Sequence, residues 1–187
     1  MRVIAGKFRS RLLKGPGKLP LRPTSDRLRE TLFNILGPSV EDSLFVDLYA
    51  GTGGIGIEAI SRGARETVFV ESHAAAARLL VQNLSALGIR EGAELITADA
   101  VRGLEKIAAR RRVADFIFLD PPYAEEDEYL RVLEFLDTSH LVAPRGIVIV
   151  EHSSKMELPE RFARLECKRL LEQGDAALSF YRLAAAA

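Results

Sequence analysis

From residue 44 onward, short apolar runs of strand length alternate with longer segments whose apolar residues recur at helical spacing. This alternation constrains the chain more than any other feature, because strands joined through helices have to run parallel in a sheet covered on both faces. The spacing predicts strands over 44–48, 67–71, 93–97, 114–119 and 145–151, with helices over 54–63, 73–88, 100–110 and 125–137. Leu80, Leu84 and Leu87 form a core stripe on the second helix, with Ser72 as its expected N-cap, and Tyr129, Leu133 and Leu136 do the same on the fourth. Ahead of the first strand, Thr24-Ser25-Asp26 opens a helix whose Leu28, Leu32 and Ile35 share a face and which Gly37-Pro38 ends, placed to cover one edge of a cleft. Past residue 164 the alternation stops. Leu165 to Leu171 and Ala176 to Tyr181 read as two strands about a Gly174-Asp175 turn, so the expectation is an α/β fold with a mostly parallel seven-stranded sheet closed by an antiparallel hairpin.

The formal net charge of zero conceals an asymmetry. Arg2, Lys7, Arg9, Arg11, Lys14, Lys18 and Arg22 stand in the first 25 residues without a single acid, so a basic arm precedes an acidic body. Val3-Ile4-Ala5 and Leu12-Leu13 flank Gly6 to Ser10 and suggest a short hairpin within that arm. Such an arm suits a phosphate backbone, with Arg2, Lys7, Arg9, Arg11, Lys14 and Arg22 as candidate RNA contacts; a solvated tail explains the charge equally well. The expected division is residues 1–22 as this extension and 23–187 as the catalytic domain. Without an apolar leader or an apolar run of eighteen residues, the chain is expected in the cytoplasm, away from membranes. Cys167 reads as a buried, inert thiol on a strand. His73, His140 and His152 are scattered, no metal is expected, and His152 reads as an exposed strand-end residue beside Glu151.

The first strand runs through Asp47 into Tyr49-Ala50-Gly51-Thr52-Gly53-Gly54-Ile55-Gly56, where glycines let the backbone turn sharply and approach a ligand. Gly51, Gly53 and Gly56 satisfy the dinucleotide spacing, with Glu71 twenty residues after Gly51. Asp47, however, would repel a pyrophosphate and welcome a cationic amino-acid tail, which favours S-adenosyl-L-methionine over NAD. Glu71 can accept both hydroxyls of a ribose. Asp99 can accept the amine of an adenine whose ring nitrogen meets the Ala100 backbone N–H, or it can simply cap the next helix.

The most specific segment is Phe116 to Tyr123, a buried strand ending in Asp120-Pro121-Pro122-Tyr123. Two prolines stiffen the loop and leave the Pro121 carbonyl without competing local N–H donors, so it and the Asp120 carboxylate can both accept from one NH2 group. An exocyclic base amine is a poor nucleophile because its lone pair is delocalised, and two such acceptors favour the geometry that localises it. Asp120 can then collect the proton, and Tyr123 offers a face on which an extruded base stacks.

These segments together resemble the bacterial 16S rRNA guanine-N2 methyltransferases called the RsmD family. Residues 2–9 look like that family's opening, Arg22 to Glu30 resembles its segment before the first strand, and Asp47 to Gly53 and Asp120 to Tyr123 match its cofactor and catalytic motifs. The resemblance implies a Rossmann-like class I methyltransferase fold, S-adenosyl-L-methionine as donor with S-adenosyl-L-homocysteine as product, and a guanine of 16S rRNA in a 30S subunit or assembly intermediate as target of a monomeric enzyme. Two readings compete. An adenine-N6 methyltransferase would use the same loop, although the length leaves no segment for DNA target recognition, and a non-catalytic RNA-binding assembly protein would keep the fold.

Overall fold

The computed structural model describes residues 1–17, 24–122 and 125–185. Seven strands form a mixed sheet, and the chain divides into two compact units, Met1–Asp99 and Ala100–Ala187.

In the first unit, helix α1 (Asp26–Leu36) leads through a 3-10 turn (Gly37–Val40) into β1 (Leu44–Leu48), followed by α2 (Gly54–Ser61), β2 (Glu66–Val70), α3 (Ala74–Ala86) and β3 (Ala93–Ile96). The strands are parallel in the order β3-β2-β1, with Asp47 level with Phe69 and Val70 level with Ile96. All five residues of β1 are buried, as a strand flanked on both sides requires. On α1 the Ser25 hydroxyl accepts the Leu28 N–H, and the buried face is Leu28, Arg29, Leu32, Phe33 and Leu36; Ile35 is half-buried. The core face thus lies one residue round from the expected one, and it includes a fully buried arginine. On α3 the N-cap is His73, whose Nδ1 accepts the Ala76 N–H; Ser72 is exposed outside the helix. Glu71 Oε1 takes the His73 N–H at 2.7 Å and thereby sets where the helix starts.

The described part of the basic arm, residues 1–17, forms the expected hairpin over its first thirteen residues and packs as part of this first unit. Val3 N–H donates to the Arg11 carbonyl, Ser10 N–H to that of Val3, and Leu13 N–H to that of Met1. Its Val3 and Leu13 enter a core cluster with Ala50, Ile57, Phe69, Leu80, Leu84 and Leu87. Burial of each contributes about 1.5–3 kcal/mol, which a solvated tail would forgo. Gly6 is obligatory at φ 77°, since a Cβ there would overlap the Ser61 carbonyl.

The second unit runs α4 (Ala100–Ala109), β4 (Ala114–Leu119), α5 (Glu126–Thr138), β5 (Val142–Ser153), β6 (Leu165–Gln173) and β7 (Ala176–Leu183). Its strand order is β4-β5-β7-β6, with β4 and β5 parallel and the last two pairings antiparallel. The terminal hairpin is therefore present, with Gly174 at φ 66° in its turn. Strand β5 starts three residues earlier than its apolar run suggests. Pro144-Arg145-Gly146 looks like a break in sequence, but the strand continues through it as a register shift between Ala114 and Phe116 of β4. A second shift separates Cys167 from Arg169, and Cys167 is only half-buried, with its thiol donating to the Arg169 carbonyl. His152 is buried rather than exposed. Its Nδ1 lies 2.9 Å from the Ser153 carbonyl and its Nε2 2.8 Å from the Ser179 hydroxyl, and burial holds its pKa below the usual value. Among the described residues no helix is long and apolar enough to cross a membrane.

Candidate functional site

The glycine loop occupies the carboxyl end of β1, where parallel α/β sheets place their ligands. Tyr49, Gly51 and Gly53 all adopt left-handed backbone, at φ 59°, 55° and 84°. For Tyr49 that conformation costs about 1–3 kcal/mol, strain typical of ligand-binding turns. Gly56 serves packing, because a Cβ on it would lie 2.2 Å from the Phe69 ring.

Two buried carboxylates brace this loop. Asp47 Oδ2 accepts the Gly56 N–H at 2.8 Å, and Glu71 Oε2 accepts the Gly51 N–H at 2.7 Å. Desolvation pushes the Asp47 pKa up to about 7, against the Gly56 hydrogen bond and with help from the negative charge of Glu71. An ionised carboxylate offers about four lone-pair sites, and backbone N–H groups use two of those on Glu71. The pair fits a ligand that brings hydroxyls and positive charge, and it opposes one that brings a pyrophosphate. Ala50 and Thr52 are buried beneath the turn. The Thr52 carbonyl accepts from Asn83 Nδ2 at 2.9 Å, while Asn83 also exchanges hydrogen bonds with the backbone of Lys14. Asn83 thus ties the glycine loop to the arm from a fully buried position. Asp99 is half-buried directly ahead of α4, and Ala100, the first residue of that helix, is buried.

The arm has its own anchor on α2. Glu58, fully buried, accepts the Ile4 N–H at 2.8 Å and the Ala5 N–H at 3.0 Å, and Arg62 Nε at 2.8 Å. Ser61 accepts the N–H groups of Lys7 and Phe8 through its carbonyl and hydroxyl. Arg29 donates to the Arg2 carbonyl and to Asp26, with its Nε 3.9 Å from Glu58. Burial holds the Arg29 pKa below the usual arginine value despite the raising influence of Asp26 and Glu58. The backbone of the hairpin is therefore held by buried side chains while Arg2, Lys7, Arg9, Arg11 and Lys14 remain exposed.

In the second unit Asp120 is half-buried immediately after β4, Pro121 is buried and Pro122 exposed. The Pro121 carbonyl has a donor that the sequence did not suggest. Tyr129, fully buried on α5, donates its hydroxyl to that oxygen at 3.2 Å, and the Glu125 N–H donates to the Pro122 carbonyl at 2.8 Å. The prolines removed the nearest N–H donors, but the first turn of the following helix supplies an O–H in their place. A carbonyl oxygen has two lone pairs, so Tyr129 orients Pro121 and uses one of them. Glu151 is a further buried acid, one residue beyond Val150, which is level with Leu119. Acids thus recur near the carboxyl ends of strands, at Glu71, Asp99, Asp120 and, within β5, Glu151, a regularity present in the sequence. Tyr123, Lys18 and Arg22 lie outside the described residues.

Comparison with known proteins places this arrangement. The family model described as "Conserved hypothetical protein 95" matches residues 1–182. Over 182 residues the chain is 35% identical to YlbH of Bacillus subtilis (strain 168), named as a candidate rRNA methyltransferase, covering 97% of this chain and 98% of that one. It is 31% identical over 182 residues to "Ribosomal RNA small subunit methyltransferase D" of Escherichia coli (strain K12), covering 97% and 89%. The solved structure of a candidate methyltransferase, yhhF from Escherichia coli, superposes with a TM-score of 0.83 at 29% identity, covering 100% of this chain and 99% of that one, so the Rossmann-like class I fold is the one observed.

Proposed function

The chain belongs to the Conserved hypothetical protein 95 family, which includes the RsmD methyltransferases, and on that footing we propose that it methylates 16S rRNA at the exocyclic N2 of a guanine, with S-adenosyl-L-methionine as donor. The enzyme acts in the cytoplasm as a monomer, on a 30S subunit or an assembly intermediate. The observation that supports this reading most strongly is the pair of buried carboxylates, Asp47 and Glu71, each bonded to a backbone N–H of one glycine loop.

When bound, the donor supplies a methyl group on a positively charged sulfur. Asp47 favours a cationic amino-acid tail, Glu71 accepts ribose hydroxyls, and the left-handed turn at Gly51 and Gly53 lets the backbone come close. Asp99 and the Ala100 N–H hold the adenine edge. On the acceptor side, Asp120 and the Pro121 carbonyl, fixed by Tyr129, accept the two N–H bonds of the guanine amine. That geometry turns the nitrogen lone pair out of conjugation. As the N–C bond forms and the S–C bond breaks, the proton from nitrogen passes to Asp120 or through it to water. Tyr123 stacks on the base. Positioning and electrostatics suffice here, since no covalent intermediate with the protein is required.

An Asp120→Ala variant tests these roles. It is expected to lose methyl transfer to 30S particles that lack the modification, by at least about a hundredfold, while calorimetry shows S-adenosyl-L-homocysteine binding within a few-fold of the wild type. Full activity in that variant would overturn the assignment of Asp120.

A further inference from the structure

The hairpin of the arm and helix α1 flank an open cleft of about 360 Å³, lined by Arg2, Arg9, Ser10, Asp26, Arg27 and Glu30. Three arginines line it, and among the described residues no side-chain ion pair joins Arg2, Arg9 or Arg27 to the acids beside it. Asp26 is already engaged by Arg29 at 2.9 Å. Ser10 also lines the cleft, with left-handed backbone at φ 66°, a strained conformation for a serine. Among the described residues, the other cations of the arm have contacts of their own. Arg11 donates to the Ala86 carbonyl at 3.3 Å, Lys14 to Gln82 at 3.0 Å, and Lys7 lies over the ring of Phe8 at 5.4 Å.

We propose that this cleft seats one backbone phosphate of the RNA substrate, with Arg2, Arg9 and Arg27 as its ligands, and that Arg27 of α1 is an RNA contact although it lies outside the basic arm. The inference rests on the rRNA reading above and gives it a location. Guanidinium groups are planar forks that match phosphate oxygens two at a time, and three of them around one cavity match a phosphodiester better than a point charge. A volume of about 360 Å³ falls in the range of small-ligand pockets and accommodates a single nucleotide. Glu30 then has a role as acceptor for a ribose 2′-hydroxyl, the group that separates RNA from DNA. The cleft is held rigidly, because the Arg2 carbonyl is bonded to buried Arg29 and the Ile4 and Ala5 N–H groups to buried Glu58.

The test is the salt dependence of binding to 30S particles lacking the modification, measured for the wild type, Arg27→Gln, Arg9→Gln, and an Arg131→Gln, Lys168→Gln control at exposed cations outside the arm. Each phosphate contact contributes about 0.7–0.9 to the slope of log affinity against log salt. Arg27→Gln and Arg9→Gln are each expected to lower the slope by up to that amount, and the double control to leave it within error of wild type. Thermal unfolding confirms that each variant is folded, which exposed positions such as Arg27 favour. An unchanged slope in Arg27→Gln, or a larger loss in the control, would overturn the cleft assignment and leave the rRNA reading standing. Failure of the wild-type protein to bind the particles at low salt would remove the rRNA reading itself, and the cleft with it.

Discussion

Replacing Glu58 by Gln perturbs the anchor of the arm while keeping the shape of the side chain. The carboxylate is fully buried, with Ile4 and Ala5 N–H groups at 2.8 and 3.0 Å and two arginines on its far side. A glutamine keeps one acceptor oxygen and turns an NH2 toward the other donors, so at least one backbone N–H is stranded in the core at a cost of about 1–3 kcal/mol. Removing the negative charge also strips Arg29 of a counter-charge; deleting one partner of a buried pair costs about 3–5 kcal/mol, reduced here because Asp26 stays at 2.9 Å. The combined loss is about 3–4 kcal/mol, a large share of the about 5–15 kcal/mol that holds a typical domain. Urea unfolding reads it as a midpoint lowered by about 1.5–2 M for a slope near 2 kcal/mol/M. Amide exchange adds a local readout, because release of the arm exposes Ile4 and Ala5 before global unfolding. Arg62→Gln, which removes a partner whose side chain is 18% exposed and leaves Glu58 with Arg29 and both backbone donors, is expected to cost less than Glu58→Gln, about 1–2 kcal/mol. A Glu58→Gln loss below about 1 kcal/mol, with Ile4 and Ala5 still protected, would refute the anchoring role.

Asp47 predicts a pH dependence of cofactor binding. Its folded pKa of about 7 lies above the ordinary carboxylate value, so the folded apo-protein carries a neutral Asp47 below that pH, and the cost of ionising it grows as pH rises from the ordinary value toward about 7. A cationic ligand tail favours the carboxylate, so S-adenosyl-L-homocysteine affinity should rise from about pH 6 to about pH 8 with release of up to one proton, and Asp47→Asn should flatten the profile; calorimetry in buffers of different ionisation enthalpy measures both, and a flat wild-type profile with no proton release would contradict it. Gly56→Ala should destabilise by about 1–3 kcal/mol through overlap with Phe69, whereas Gly15→Ala, with open space around it, should change stability by less than about 0.5 kcal/mol. Equal unfolding midpoints for the two variants would show that α2 does not need its close approach to β2.

The sheet was legible because its signal is periodic. Strands buried on both sides read as continuous apolar runs, and Leu80, Leu84, Tyr129 and Leu133 mark helix faces with no help from tertiary contacts. Asp47 and Glu71 were legible in the sequence because an acid at the end of an apolar strand is costly to bury unless it is hydrogen-bonded, and N–H groups of the glycine loop supply those bonds. Residues that act through long-range backbone contacts were not. Glu58, Ser61 and Asn83 look like ordinary helix polar residues, and only the fold brings segments 53–69 positions away onto them. Arg29 reads as a solvated charge until Glu58 and the Arg2 carbonyl surround it. The Pro121 carbonyl was misjudged for the same reason: its donor, Tyr129, was correctly placed in the core stripe, but nothing local shows which way a buried hydroxyl turns. His152 was misplaced because a histidine after an apolar run looks like a strand end, and the antiparallel partner β7 that buries it is contributed from 27 residues further on.

The reaction itself is decided by the nucleoside product. With purified protein, labelled S-adenosyl-L-methionine and 30S particles lacking the modification, digestion of the 16S rRNA and chromatography of its nucleosides should place the label in N2-methylguanosine and nowhere else. Label in N6-methyladenosine, or none in the RNA while the protein binds both cofactor and particles, would contradict the assignment of Asp120 and Pro121 as acceptors for a guanine amine.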